Sequence, residues 1–200
     1  MAMTRNLFRL GALEANKTAF FLCDMQEKFR PQIKYFDEIV RTANKMIKGA
    51  KFFKIPVYVS EYETITYGST VVDIDISEAA FVYNKEDLSM YNETLKKLVK
   101  KDVPGLNSVV IFGIAAHACV EQTAIDLLNE DINVHVLADG VSSRSILDRS
   151  LALRRLQSMG CILGTSENVL LKLLGGTKHP AYEQISKLIK SKPTPDCRCG

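Results

Sequence analysis

A cysteine follows a run of apolar and small residues near the middle of the chain. Cys119 ends the segment 107–119, NSVVIFGIAAHAC, in which residues 108–112 are mostly large and apolar. Such a run is typical of a strand that is buried on both faces of a parallel sheet, and apolar residues recur at helical spacing from Val120 onwards. Cys119 is therefore predicted between a strand and a helix. Open α/β sheets bind ligands at that position, and helix N-terminal N–H groups stabilise a thiolate there.

Two charged residues are predicted at the same edge of the sheet. Asp24 comes directly after a predicted strand at 18–23, and Lys85 comes shortly after another at 79–83. Taken singly, such an aspartate is often a turn residue, such a lysine a surface charge, and a cysteine among alanines a small buried hydrophobe. Together they form a chemically complete set, because a thiol nucleophile needs a proton acceptor and a positive field. Asp24 can accept the proton, Lys85 can supply the field, and N–H groups of the turn before Cys119 can hold an oxyanion.

A histidine is not needed as the base, because Asp24 can accept the proton of Cys119. The chain has three histidines. His135 falls inside a predicted strand and His179 precedes Pro180 in a late loop, so both are expected to be structural. His117 comes two residues before the cysteine, and it alone is expected beside the site.

The rest of the chain supplies the elements that must position these residues. Strands alternate with helices, which predicts an α/β fold: a Rossmann-like, three-layer αβα domain with one parallel sheet of six strands. The polar stretch 61–75 is predicted as a long loop that carries substrate specificity. The predicted strands are 18–23, 56–60, 79–83, 108–112, 133–138 and 161–163. The predicted helices are 37–53, 91–100, one that starts at 120, 147–158, 167–174 and 181–190.

Length and composition are those of one ordinary globular domain. The 200 residues are 46% hydrophobic and 24% charged, which is enough to bury a proper core. We assign the domain to residues 15–190, a flexible N-terminal arm to 1–14 and a flexible C-terminal tail to 191–200. The first thirteen residues lack acidic side chains and contain Arg5 and Arg9. A mitochondrial presequence therefore stays open beside the favoured interpretation, a short disordered arm.

Several classes of partner lack support in the sequence. A net charge of +3 without a basic stripe does not favour a nucleic-acid partner, and no apolar run is long enough to span a membrane. Neither a glycine-rich dinucleotide motif nor a P-loop is present, so no nucleotide cofactor is expected. The five cysteines are odd in number and lack metal-ligand spacing, which favours free thiols in a reducing compartment, the cytoplasm first.

These residues resemble the isochorismatase-like cysteine hydrolase superfamily. The resemblance rests on CDMQ at 23–26, on Lys85 with the Ser-Met pair at 89–90, and on GIAAHACV at 113–120, in this order. It covers nearly the whole chain, and it is strongest toward the isochorismatase domain-containing proteins of eukaryotes, through LCDMQEKF at 22–29.

The resemblance implies a role for each matched residue. It implies a catalytic triad of Asp24, Lys85 and Cys119, and a cis peptide bond at Ile114–Ala115 that directs the N–H groups of Ala115 and Cys119 toward an oxyanion. It also implies assembly into homo-oligomers. The four residues expected to shape the substrate pocket are Gln26, Phe29, Ala116 and His117.

Two differences from members of the superfamily restrict the reactions that we expect of this chain. Nicotinamidases carry a metal-binding Asp-x-His after the second strand, but the corresponding stretch here, SEYETITYG at 60–68, has no histidine. No metal site of that type is expected. Isochorismatases proper act on a vinyl ether and often lack the cysteine, so the presence of Cys119 favours covalent chemistry on a C–N bond.

The sequence therefore predicts a cysteine hydrolase that acts on a small amide-like substrate through a thioester acyl-enzyme. Two other functions stay open at this point. One is a non-catalytic binding or scaffold protein on the same fold, because fold does not fix function. The other is a ribonuclease, which is disfavoured because the chain offers neither an acidic metal cluster nor a basic groove.

Overall fold

Six parallel strands form the central sheet of the computed structural model, which describes residues 11–190. Their order across the sheet is β3-β2-β1-β4-β5-β6, and each neighbouring pair runs parallel. The strands are β1 (Thr18–Cys23), β2 (Val57–Tyr62), β3 (Phe81–Lys85), β4 (Ser108–Ile114), β5 (Asn133–Ser142) and β6 (Ile162–Gly164). This confirms the predicted fold class.

The order of the strands creates a switch point between β1 and β4. From β1 the chain winds outward through β2 and β3, and it then returns to β4 and winds the other way through β5 and β6. The loops after β1 and β4 therefore diverge to opposite faces of the sheet and leave a crevice between them. Both strands are buried along their whole length, as their continuous apolar runs predict.

Helices cover both faces of the sheet. The first face packs on α1 (Phe36–Phe53), α6 (Ser166–Leu174) and α7 (Tyr182–Lys190). The second face packs on α3 (Glu93–Asp102), α4 (Glu121–Asn129) and α5 (Ile146–Ser158). Alternation along β1 sends Phe20 and Leu22 to the first face, whereas Ala19, Phe21 and Cys23 face the second. No helix of residues 11–190 has both the length and the apolar character needed to cross a membrane.

Two local features differ from the predicted elements. The predicted 61–75 loop contains a short helix, α2 (Thr64–Tyr67), and a bridge between Gln26 and Thr70. Strand β5 runs on to Ser142 through an irregularity in its pairing with β4. The guanidinium of Arg149 donates to the carbonyl oxygens of Ala138 and Val141, which compensates for hydrogen bonds lost there. Most of the predicted N-terminal arm and all of the predicted C-terminal tail lie outside the described residues.

Candidate active site

A cavity of about 240 Å³ opens at the switch point, over the carboxyl ends of β1 and β4. Asp24 and Cys119 both line it, so the structure brings these two predicted residues to one place. The full lining comprises Asp24, Phe29, Gln32, Ile33, Tyr62, Tyr67, Ile114, Ala115, His117, Ala118, Cys119 and Arg144.

Asp24 and Lys85 form a buried ion pair behind the cavity. Lys85 Nζ lies 2.8 Å from Asp24 Oδ2, and the two side chains are 1% and 2% exposed. The other carboxylate oxygen, Oδ1, accepts a hydrogen bond from Ser60 Oγ at 2.7 Å. The Oδ2 atom has ion-pair distance but not hydrogen-bond geometry toward the lysine, so it keeps a lone pair with which to accept a proton.

The ammonium of Lys85 also binds two backbone groups. Its Nζ donates to the carbonyl oxygens of Asp87 and Leu88, at 3.0 Å each. It also lies 4.8 Å from the centre of the Tyr62 ring, a cation–π distance. Burial by itself lowers the pKa of Lys85, but the acidic neighbours Cys23, Asp24 and Cys119 outweigh burial and raise that pKa. Lys85 therefore stays charged next to Asp24, although it does not line the cavity.

The turn that delivers Cys119 depends on a close approach between β4 and β1. Gly113 has a φ of 118°, and a Cβ at this position would lie 2.1 Å from the carbonyl oxygen of Cys23. Only glycine fits there. The next peptide bond but one, Ile114–Ala115, is cis, and a single π-helical turn, Ala116–Val120, follows.

Hydrogen bonds fix the backbone around Cys119. The N–H groups of Ala118 and Val120 donate to the carbonyl oxygen of Ala115, at 3.1 and 3.2 Å. Thr123 Oγ1 donates to the carbonyl oxygen of Cys119 at 2.6 Å and accepts from the N–H of Met90 at 2.9 Å. The cysteine is thus anchored to the segment after β3, which also carries the acceptors of Lys85.

A second thiol belongs to the same buried cluster as Cys119. Cys119 is 8% exposed, whereas Cys23 is fully buried. Burial raises the pKa of Cys23 well above its usual value, and the neighbouring Cys119 and the charge of Asp24 raise it further. Cys23 therefore stays protonated.

Three aromatic rings form one wall of the cavity. The rings of Phe29 and Tyr67 stack at 4.5 Å between centroids, and those of Tyr62 and Tyr67 at 5.7 Å. Tyr62 and Tyr67 belong to the predicted specificity loop, but their place in the wall was not predicted. Tyr62 ends β2 and Tyr67 ends α2, so the available signal was a pair of tyrosines in one otherwise polar stretch.

Gln26 supports this wall and does not face the cavity. Its Nε2 donates to the carbonyl oxygens of Tyr62 and Gly68, at 2.9 and 2.6 Å, and its Oε1 accepts from the N–H of Tyr62 at 2.7 Å. Its amide is occupied by the loop backbone, so Gln26 shapes the cavity through this wall and stands outside the lining; its predicted role at the substrate pocket stays a prediction. Ala116 is also absent from the lining, since it is fully buried in the turn.

His117 and Arg144 add polar groups to the lining of the cavity. His117 lines the cavity as predicted, and its Nδ1 is 2.8 Å from Ser143 Oγ, which fixes the ring. Arg144 is exposed and lines the same cavity. Its position follows from the extension of β5, which the apolar pattern alone did not reveal. Within residues 11–190, no three His, Cys, Asp or Glu side chains are grouped so that they could hold a metal ion.

Sequence comparisons point to one family. The model of the isochorismatase domain matches residues 18–168. Isochorismatase domain-containing protein 1 of Danio rerio is 44% identical over 181 residues, which cover 90% of this chain and 64% of the relative. Isochorismatase domain-containing protein 2 of Homo sapiens is 41% identical over 187 residues, or 94% and 89% of the two chains. The chain thus spans slightly less than two thirds of the zebrafish relative.

Solved structures agree with this result. A structure described as MAR1 ribonuclease from Caenorhabditis elegans superposes with a TM-score of 0.85 at 38% identity, covering 92% of this chain and 96% of the other. The YcaC gene product of Escherichia coli, described as an octameric hydrolase of unknown specificity, shares the fold with a TM-score of 0.81 at 21% identity, over 89% of each chain.

Proposed function

The chain belongs to the isochorismatase family, and from that premise we propose that it is a cysteine hydrolase that cleaves a C–N bond in a small amide-like substrate. The observation that carries the proposal is the buried Asp24–Lys85 ion pair at a cavity that Cys119 also lines. A buried carboxylate with an oxygen free of hydrogen bonds, at a cavity that a thiol also lines, supplies the two groups that a general base and nucleophile require.

The first half of the reaction forms a thioester. Asp24 takes the proton of the Cys119 thiol, and the thiolate attacks the carbonyl carbon of the substrate. The electron pair of the C=O bond moves to oxygen, where the N–H groups of Ala115 and Cys119 stabilise it. When this intermediate collapses, the C–N bond breaks and Asp24 donates its proton to the leaving nitrogen.

The second half releases the acyl group. Asp24 deprotonates a water molecule, which attacks the thioester, and the proton then returns to the Cys119 sulfur as the acid departs. Lys85 acts through Asp24 in both halves: it keeps the carboxylate in place, and its charge stabilises the negative intermediates at short range. Its ion pair with Asp24 and its hydrogen bonds to the carbonyl oxygens of Asp87 and Leu88 support this indirect role.

The cavity favours small substrates with a flat or apolar body. Its volume of about 240 Å³ holds only a compact molecule, and the stacked rings of Phe29, Tyr62 and Tyr67 offer an apolar wall. Arg144 adds a positive charge to the lining, which favours substrates that carry a carboxylate or another anionic group.

Trapping of the acyl-enzyme tests this function. The protein is incubated with small amides, ureas and carbamoyl compounds that carry a carboxylate, and each compound is paired with an analogue without that group. The reaction is quenched in acid before peptide mass spectrometry. We expect an acyl adduct on Cys119 and none on Cys161, whose pKa is raised to about 12 by burial and by the charge of Glu121. Turnover that persists in Cys119→Ala would refute the thioester route. Arg144→Met should raise KM only for the carboxylate-bearing members.

The name of the C. elegans structure favours ribonuclease activity as a second candidate. Its test is cleavage of a labelled single-stranded RNA by the purified wild type and by the Cys119→Ala and Asp24→Asn variants, prepared side by side. Cleavage that both variants lose would support the second candidate. Equal cleavage by all three preparations would indicate a contaminant, and absence of cleavage would leave the amide-directed function.

A further inference from the structure

Two segments at the cavity carry polar side chains that have no step in the reaction above. His117 belongs to the π-helical turn that delivers Cys119, and Arg144 belongs to the connection between β5 and α5. Both residues line the cavity. The paired strands β4 and β5 end side by side, with Ile114 opposite Ser142, so the segments that follow them start from neighbouring points. They meet where His117 Nδ1 lies 2.8 Å from Ser143 Oγ.

Hydrogen bonds hold the connection between β5 and α5 on both sides of Arg144. The carbonyl oxygen of Ser143 accepts from the N–H of Lys34 at 3.0 Å. The side chain of Ser145 accepts from the N–H of Asp148, also at 3.0 Å, and so caps α5. The fold therefore sets the place of the Arg144 backbone at the cavity, without help from contacts of its side chain.

The guanidinium of Arg144 is free to bind an external group. Arg144 is exposed, and among the residues that the structure describes it has neither an ion pair nor a hydrogen bond through its side chain. The lining contains one other charged side chain, Asp24, which is paired with Lys85 at 2.8 Å. The described surroundings thus leave one positive charge of the cavity uncompensated, and such a charge attracts anions.

The hydrogen bond between Ser143 and His117 determines which ring nitrogen carries the proton. Ser143 has no exposed surface, and within residues 11–190 its hydroxyl has a single partner, His117 Nδ1. A buried hydroxyl donates its proton when an acceptor is within reach, so Oγ–H donates to Nδ1. The proton of the neutral ring is then on Nε2, which makes Nε2 a hydrogen-bond donor.

This donor is on the open edge of the ring. His117 is half-buried, and because Nδ1 is directed at the fully buried Ser143, the edge left for the cavity carries Nε2. In the described part of the chain, Nε2 is not among the side-chain atoms that are buried without a partner. A histidine that serves packing alone ordinarily has both nitrogens satisfied by the protein, whereas His117 keeps an accessible donor.

We propose that His117 and Arg144 form the subsite for an anionic group of the substrate, with Ser143 as a positioning residue that orients the ring. The Nε2–H group and the guanidinium donate to the same group, and a carboxylate has the oxygen atoms to accept from both. This inference rests on the proposed function, because it places the anionic group in the cavity where Cys119 attacks. It adds to the charge of Arg144 a share for His117, through Ser143, in the choice of substrate. No bond is made or broken at these residues.

Two alkylating reagents that differ in charge test the subsite without a substrate. Iodoacetate carries a carboxylate where iodoacetamide carries a neutral amide, and both reagents react with the thiolate. The ratio of their rate constants at Cys119 therefore reports the attraction of the carboxylate and is independent of the fraction of thiolate. Peptide mass spectrometry measures this ratio in the protein and in a synthetic peptide of residues 113–125. We expect the ratio to be about tenfold higher in the protein, the effect of one hydrogen bond to a charged group.

Matched variants assign the ratio to particular residues. His117→Leu and Arg144→Met should each lower it by about three- to tenfold, because each removes a donor to the carboxylate. His117→Gln should retain most of it, since its amide N–H can replace the Nε2 donor. Ser143→Ala should lower it less than His117→Leu, because the ring remains but loses its anchor. Arg154→Met is the control: Arg154 is exposed on α5 outside the cavity lining, and the variant removes the same charge.

Each contrary result has a distinct meaning. Equal ratios in the wild type and the peptide would refute the subsite. A raised ratio that His117→Leu leaves unchanged would exclude His117 from it, and an unchanged ratio in Ser143→Ala would refute the positioning role. A decrease in Arg154→Met as large as that in Arg144→Met would show that the net charge attracts the carboxylate.

Failure of the proposed function has another signature. Cys119 would then react with iodoacetamide no faster than the peptide does, whatever the ratio between the two reagents. Thermal unfolding of each variant verifies that the fold is retained, and His117→Gln together with Ser143→Ala covers the case in which His117→Leu does not fold.

Discussion

At the scale of single residues, Asp24 and Lys85 depend on each other. Each charge is almost fully removed from solvent, and a buried charge without its partner is expensive. We expect Lys85→Met to lower the free energy of unfolding by about 3–5 kcal/mol and to slow alkylation of Cys119 at neutral pH. Urea denaturation measures the free energy of unfolding, and peptide mass spectrometry after limited iodoacetamide measures the alkylation of Cys119.

A double-mutant cycle separates this pair from general damage. Asp24→Asn combined with Lys85→Met should cost less than the sum of the two single changes, by about 2 kcal/mol, because residues in one ion pair are coupled. Strict additivity would contradict the coupling. Lys51→Met serves as the control, because Lys51 belongs to an exposed ion pair with Glu78 and such pairs contribute little.

His135 gives the stability of the protein a defined pH dependence. Burial, together with a smaller contribution from the charge of Lys172, lowers the pKa of this histidine to about 4. In the unfolded chain the pKa is about 6.5. Because the folded state favours the neutral ring, its contribution is complete above pH 6.5 and is lost as the pH falls toward 4. Between pH 7.5 and 4.5 the wild type should lose about 2–3 kcal/mol on this account.

The comparison that isolates His135 uses a variant with an uncharged side chain. His135→Leu removes the titration, whereas the carboxylates that also respond to acid remain. The loss of stability between pH 7.5 and 4.5, measured by urea denaturation, should therefore be smaller in His135→Leu than in the wild type by about the same 2–3 kcal/mol. If the wild type and His135→Leu lost the same free energy of unfolding between pH 7.5 and 4.5, the titration of His135 would not contribute to the loss of stability in acid.

At the scale of elements, the segment 62–68 depends on one glutamine. Gln26 makes three hydrogen bonds to its backbone, and these bonds place Tyr62 and Tyr67 in the cavity wall. We expect Gln26→Leu to speed amide hydrogen exchange in this segment by at least tenfold while β1 stays protected, since the loss of even one such bond costs about 1.4 kcal/mol. Hydrogen-exchange mass spectrometry measures both regions in one experiment.

Gln26→Glu is the matched variant, because it keeps the acceptor for the N–H of Tyr62 and loses the two donors. Its exchange in 62–68 should be intermediate. If both variants exchanged like the wild type and yet raised the KM for an identified substrate, Gln26 would contact the substrate, and its assignment as a support would be wrong.

The segment 62–68 also contains contacts that the sequence alone does not predict. Local patterns predict the strands, the place of Cys119 and the charged residues at the edge of the sheet. Each of these patterns, an apolar run or a polar residue at its end, involves only residues that are close in sequence. The aromatic wall depends on hydrogen bonds from Gln26 to groups 36 and 42 residues away. The course of β5 depends on Arg149, which donates to carbonyl groups that the apolar pattern does not reveal. Such contacts are set by the packed fold and leave no periodic signal.

At the scale of the whole molecule, the exposed apolar side chains bear on assembly. Leu147 is 64% exposed and Leu151 39%, on one side of α5, and Ile146 beside them is 51% exposed. Apolar groups clustered on one helix face are typical of a protein interface. The octameric state stated for the E. coli neighbour belongs to that protein, and for this chain we expect a homo-oligomer that buries this face of α5.

Native mass spectrometry tests the expected interface with a matched control. Leu147→Glu together with Leu151→Glu should shift the protein toward monomer, because two carboxylates would have to be desolvated in the interface. Ile65→Glu is the control, since Ile65 is 99% exposed but belongs to a different helix, α2. If Ile65→Glu dissociated the assembly and the α5 variant did not, the interface would lie over the loop that bears the aromatic wall. The neighbouring copy would then cover the entrance to the cavity, and substrate access would depend on assembly.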